Sequence, residues 1–196
     1  MKRSILMIVF AAILGSSTPA SATNDHIGLA WGVSLPLGDT ADYIPRVSFR
    51  GASVQWRHYY RRDASYGLNV GWNVFNKDSD TTLEQADLTV TGKQWRYVNA
   101  VPIYAEWCVY FETDRRAWRP YVGLNAGTAW IERRTDLGML RLEEKNWHLA
   151  AAPEFGVNLP WDSFIGYVAL RYHHAFSAGD AEAQQWLEMR IGFSFD

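Results

Sequence analysis

The 196-residue chain is predicted to be all-β: an eight-stranded antiparallel up-and-down transmembrane β-barrel. Three observations predict it. Hydrophobic residues recur with a period of two in eight successive segments. The connections between those segments alternate short and long. The less apolar face of each segment is filled by small residues rather than by long charges. Each segment has roughly the length of a tilted membrane-crossing strand, ~9–11 residues.

The first stretch stands apart from this pattern. Met1-Lys2-Arg3 is a basic start, Ile5 to Leu14 is an apolar run, and Ala20-Ser21-Ala22 has the small-residue form of a cleavage site. Residues 1–22 therefore read as a secretory signal peptide. An apolar run of that length is too short to span a bilayer as a helix. Residues 23–196 are then the barrel domain. Without Lys2 and Arg3, 17 basic residues face 21 acidic ones, a net charge of −4. That balance argues against nucleic-acid binding, which wants a basic surface. Cys108 is the only cysteine, so neither an intrachain disulfide nor a cysteine-based metal site is available.

The strands follow in order. HIGLAWGVSL sets Ile27, Leu29, Trp31, Val33 and Leu35 against Gly28, Ala30, Gly32 and Ser34. ASVQWRHYY alternates in the same way around Val54, Trp56 and Tyr60. Val47 and Phe49 sit on the opposite parity, which a bulge near Gly51 would reset. SYGLNVGWNVF and NAVPIYAEWCVYF come next, then PYVGLNAGTAW, WHLAAAPEFGVNL, FIGYVALRYHHAF and WLEMRIGFSF. Long polar connections are expected near 37–50, 76–94, 132–146 and 177–185. Short turns are expected at 61–64, 112–119 and 160–163. All long loops then fall at one end, the extracellular end of an outer-membrane barrel, with both termini at the periplasmic end.

The closing strand shows how the faces are assigned. A soluble barrel would put Leu187, Met189, Ile191, Phe193 and Phe195 inside, whereas a membrane barrel puts them toward lipid. The opposite face decides the matter, because across the eight strands it is rich in Gly, Ala, Ser and Asn. Small residues suit a crowded bore and serve no purpose toward water. Parity then places Arg57, Glu106, Glu154, Arg171, Glu188 and Arg190 in the lumen, three of each sign, as an ion-pair network. Outward aromatics such as Trp31, Tyr60, Tyr66, Trp72, Trp107, Phe111, Trp130 and Tyr172 suit interfacial girdles.

Several of these segments resemble a known family. Arg119-Pro120-Tyr121-Val122-Gly123 through Gly127, Ala152-Pro153-Glu154-Phe155-Gly156-Val157 and Leu170-Arg171-Tyr172-His173 resemble small Gram-negative outer-membrane β-barrel proteins, the outer membrane protein A/X/W-like barrel domains. The resemblance implies an outer-membrane location. It also implies recognition of the aromatic C-terminal strand by the barrel-assembly machinery. Asp196 departs from it, since family members usually stop at the aromatic.

Chemistry is sparse. Outer-membrane lipid A deacylases resemble this architecture and carry a His and a Ser two apart, plus a Glu. Here His174-Ala175-Phe176-Ser177 departs from that spacing, and parity points His174 to lipid and Glu188 into the lumen. His174 and Ser177 are thus a weak alternative to having no catalytic residues. His26, His58 and His148 lie on separate strands without metal-ligand spacing.

The expected role is structural or surface-interacting, through long extracellular loops over a side-chain-filled lumen. The rivals are a lipid A-modifying acyl hydrolase and a passage for small apolar molecules. The expected partners are the lipid bilayer and the assembly machinery. Neither nucleic acid nor a cofactor or metal is expected, and the barrel is expected to be a monomer.

Overall fold

Eight strands close into one antiparallel barrel in which every strand pairs with its sequence neighbours and β1 pairs with β8. The computed structural model describes residues 24–195, apart from 86–87, 113, 115–116, 138–139 and 162. The segment read as a signal peptide and the final Asp196 lie outside the described residues. The strands are β1 Asp25–Leu37, β2 Ser48–His58, β3 Ala64–Gln85, β4 Leu88–Tyr110, β5 Arg119–Leu137, β6 Leu140–Pro160, β7 Ile165–Ala175 and β8 Gln184–Phe195. One short helix, α1 (Gly38–Tyr43), follows β1.

The register fixes the shape. Stepping sideways from Ile27 leads to Trp56, Leu68, Ala105, Ala126, Ala151, His174 and Gln185, and then back to β1 at Leu37. The circuit climbs from residue 27 to residue 37, a stagger of ten residues. At ~3.3 Å per residue and ~4.8 Å between strands, that is ~33 Å of climb over ~38 Å of girth, a tilt of ~40°. Such a tilt is ordinary for membrane-type barrels.

The two faces separate as the period of two requires. On β8, Met189, Ile191, Phe193 and Phe195 are exposed on the outside and Leu187 is half-buried, while Trp186, Glu188 and Arg190 are buried inside. The parity switch in β2 is real. Gly32 faces Gly51 but Ser34 faces Ser48, so β2 carries an extra residue there. That bulge leaves Phe49, Val54 and Val47 all outside despite their opposite parities.

The polar segments at 76–94 and 132–146 are not loops. They continue β3–β4 to the pair Gln85↔Leu88 and β5–β6 to Leu137↔Leu140. Pairing of β2 with β3 stops at Gly51↔Asn73, and that of β6 with β7 at Ala150↔Ala175. Four strands therefore rise past the other four as a wall on one side of the mouth. Polar composition suggested loops because alternation disappears once both faces meet water. Ion pairs lace the ladder there: Arg141 Nε–Asp136 at 2.9 Å and Lys145 Nζ–Glu132 at 3.6 Å cross between strands, and Lys145 also pairs with Glu143 along β6.

Helix α1 folds back over the mouth. Buried Thr40 donates its hydroxyl to Gln184 (3.0 Å) and accepts from the Gln185 backbone N–H (2.8 Å). Tyr43 lies between the Arg96 and Arg133 guanidiniums, 5.2 and 4.5 Å from its ring, and its hydroxyl meets Thr135 at 2.5 Å. The following Ile44 is fully buried.

Small lumen residues are required by what stands opposite them. A Cβ on Gly156 would lie 2.7 Å from the Tyr121 ring. Gly156→Val is expected to cost about 1–3 kcal/mol by overpacking, whereas the outward Ala151→Val stays within about 0.5 kcal/mol. Urea unfolding midpoints of the refolded barrel in detergent read the difference.

Candidate functional site

The lumen is built in layers, visible along single strands. Reading β7 from its hairpin end to its turn end, the inward residues are Ala175, His173, Arg171, Ala169 and Tyr167. On β4 they run Val98, Ala100, Pro102, Tyr104, Glu106, Cys108, Tyr110. Apolar side chains thus fill the hairpin end, with Phe75, Val98, Ile131 and Trp186 packed around Ile44. Charges occupy the middle, and tyrosines the turn end.

The middle layer is one connected chain. Arg57 pairs with Glu106 through Nε (2.7 Å) and Nη2 (2.5 Å). The other Glu106 oxygen meets Arg171 Nη2 at 3.1 Å. Arg171 Nε donates to Glu154 at 2.5 Å, and Arg190 Nη1 donates to the same Glu154 oxygen at 2.8 Å. The second Glu154 oxygen accepts the Tyr121 hydroxyl at 2.6 Å. Spare guanidinium donors reach across the bore, from Arg171 to Asn69 (2.9 Å) and from Arg190 to Ser53 (2.8 Å) and Gln55 (3.3 Å). All five charged groups are buried. A carboxylate at this depth needs such partners, since an unpaired one costs several kcal/mol.

Glu188 lies in the lumen but outside that chain. Its carboxylate meets His173 Nε2 at 3.0 Å, the other ring nitrogen meets the Tyr104 hydroxyl at 3.1 Å, and the imidazole stacks on Trp186 with centroids 4.4 Å apart. Sequence reasoning placed Glu188 in the lumen and named His173 within the segment Leu170-Arg171-Tyr172-His173. It missed their pairing, although His173 shares the parity of Arg171. Tyr104 and Trp186 complete the cluster, and nothing short of the register would have joined them.

At the turn end, Arg119 stacks on Tyr110 and Tyr59, 4.3 and 5.6 Å from their rings. Tyr110 accepts from Arg57 Nη1 (3.1 Å) and donates to Tyr59 (3.2 Å). Asn158 donates to Tyr59 at 3.3 Å. The layer braces Arg57 from below.

The weak catalytic pair is not assembled with Glu188. His174 faces outward, with its ring 6.3 Å from Tyr172 and 4.5 Å from Phe176, while Ser177 is exposed beyond the strand end. The barrel wall separates both from Glu188. A nucleophile, base and orienting acid must share hydrogen-bond reach, and these three do not. His26, His58 and His148 are likewise apart: His58 pairs with Asp25 (2.8 Å), and His148 Nδ1 meets the Phe176 carbonyl (2.7 Å). Among the described residues no group of His, Cys, Asp and Glu could hold a metal ion.

Above the lumen, the wall, α1 and the β7–β8 connection frame an open basin of about 420 Å³ around Tyr43 and Arg133. Its rim is mostly acidic, with Glu143, Glu144, Asp180 and Glu182. Arg133 bridges to Glu182 at 3.0 Å.

A closed eight-stranded antiparallel barrel with apolar residues outside and paired charges inside defines the class of protein. Its structural neighbours are small eight-stranded outer-membrane β-barrels. Neisserial surface protein A superposes with a TM-score of 0.57 at 11% identity, over 90% of this chain and 99% of that one. Ail, the attachment invasion locus protein of Yersinia pestis, gives 0.49 at 14% identity, over 87% and 97%. The N-terminal β-barrel domain of Pseudomonas aeruginosa OprF gives 0.48 at 11% identity, over 87% and 97%. No protein-family model matches the chain, and no curated protein matches it.

Two outcomes follow from the geometry. Glu154→Ala leaves Arg190 without a counter-charge and Arg171 with Glu106 alone, and is expected to destabilise by about 3–5 kcal/mol, whereas Arg134→Ala on the wall costs about 0–1 kcal/mol. Urea titrations in detergent compare them. His174→Ala and Ser177→Ala are expected to leave the acylation pattern of lipid A unchanged, read by mass spectrometry of extracted lipid.

Proposed function

We propose that this protein is an outer-membrane barrel with a side-chain-filled lumen, which presents its four-stranded wall outward as a structural or surface-interaction platform. The observation that carries the reading is the union of an apolar outer face with a lumen bridged from wall to wall by ion pairs. Exposed Leu29, Leu68, Ile103, Leu124, Phe155, Leu170 and Ile191 cover the outside of every strand except β2, where Val54 and Trp56 do the same. Such a surface belongs in hydrocarbon. The charged layer obstructs any path for ions along the axis.

The wall is what the barrel offers to its surroundings. Its edges are β3 beyond Asn73 and β6 beyond Ala150. Free strand edges are templates for added strands, and the Arg141, Glu143 and Lys145 charges along β6 select against indiscriminate pairing. A signal peptide at 1–22, assembly through the aromatic C-terminal strand and a monomeric state complete the proposal.

The passage reading draws on the apolar hairpin end of the lumen. That end is occupied by Ile44, Phe75 and Trp186, and charges close the bore beneath it. Cell fractionation tests the placement: the chain is expected in the outer-membrane pellet, with a gel mobility that changes on boiling. Recovery in the soluble periplasm overturns the reading. In planar bilayers the purified barrel is expected to carry no steady conductance, and a stable open channel overturns the filled lumen.

A further inference from the structure

Arg50 is the exception on the outer wall. Below the level of the wall, the described outward side chains on the strands are apolar, aromatic or neutral, apart from Arg50 and, at the opposite rim, Asp25. Asp25 is paired with His58. Arg50 sits at the β2 bulge, exposed, and its guanidinium has no partner among the described residues. The Arg50 backbone N–H donates to the Ser48 hydroxyl at 3.1 Å, which fixes the residue's position and leaves the charge free.

Beside it the bulge opens an outward cleft of about 440 Å³, lined chiefly by Trp31, Phe49, Ala52, Trp72, Val74 and Asn99. The lining is mainly apolar. The Trp31 indole donates to the Phe49 carbonyl at 2.9 Å, so one aromatic side of the cleft is held in place. The cleft lies over the bulged stretch of β2, between Trp31 of β1 and Trp72 and Val74 of β3.

An arginine facing hydrocarbon is costly unless it reaches an anion or water. The planar guanidinium fork matches phosphate geometry better than a point charge does. An apolar slot next to a free guanidinium fits an amphiphile with an acyl chain and an anionic head. We propose that this cleft holds one acyl chain of a bilayer lipid whose anionic phosphate headgroup is bound by Arg50. The proposal rests on the outer-membrane placement above and adds a specific lipid site to it.

Native mass spectrometry of the full chain in detergent tests the site, with dimyristoyl phosphatidylglycerol or dimyristoyl phosphatidylcholine titrated in. The wild-type barrel is expected to retain the first phosphatidylglycerol roughly tenfold more tightly than phosphatidylcholine, as one charge-assisted contact allows. Arg50→Gln is expected to remove that preference and Arg50→Lys to restore part of it. Ala52→Phe fills the slot and is expected to weaken retention of both lipids. Arg46→Gln, at a residue paired with Asp78 at 3.6 Å, is the control and is expected to change nothing. Heat-dependent gel mobility confirms that each variant is folded. Equal retention of the two lipids by the wild type, or an unchanged preference in Arg50→Gln, overturns the site while leaving the placement intact. Recovery of the chain in the soluble periplasm overturns both.

Discussion

One carboxylate ties the barrel together. Glu154 on β6 receives Tyr121 from β5, Arg171 from β7 and Arg190 from β8. Through Arg171 the chain extends to Asn69 on β3 and Glu106 on β4, and through Arg190 and Arg57 it extends to β2. Only β1 supplies no member of this chain, and it contributes by absence: a Cβ on Gly32 would collide with a Glu188 oxygen. Buried ion pairs repay little net stability after their desolvation cost. Their stronger effect here is on register. Sliding one strand by a residue would turn its lumen charge into lipid and leave several partners unpaired, so the wrong barrel is penalised far more than the right one is rewarded.

That constraint sets the composition of the remaining lumen. A stagger of ten over eight strands leaves a bore only wide enough for side chains to meet. Three arginines and their carboxylates can cross it only where neighbouring strands are stripped to Gly, Ala, Ser or Asn. Tyrosines at the turn end solve the same problem differently. Their rings fill volume and accept the guanidinium faces of Arg119 and Arg57, while their hydroxyls satisfy donors that bulk water would otherwise serve.

The sequence made the strands, their order and the inward set of charges readable, because a period of two survives wherever one face meets hydrocarbon and the other a packed bore. It failed wherever that contrast vanishes. Above the belt both faces of β5 and β6 are wetted, and runs such as Glu132-Arg133-Arg134 and Glu143-Glu144-Lys145 look like solvated loop although they are paired strands. The pairing inside the lumen was hidden for another reason. Parity states which side chains enter the bore, but only the stagger brings His173 of β7 to Glu188 of β8 and to Tyr104 of distant β4. Arg50 was overlooked because it stands at the one place where a bulge breaks the parity rule.

The layering also narrows where function can reside. An axial solute would meet Ile44 and Trp186, then a continuous chain of ion pairs, then a layer of tyrosines with Arg119 stacked on Tyr59 and Tyr110. No one solute is matched to all three chemistries. Opening the middle layer would separate charges whose only counter-charges are one another. In the proposed reading, a barrel so locked acts through its outer surfaces: the apolar outer face with its bulge in β2, and the strands raised above the mouth. Both depart from the minimal cylinder at the expense of regular pairing, which is lost at the bulge and along the edges of the wall. Departures that weaken the ladder and leave the core untouched are best explained by what they present outward.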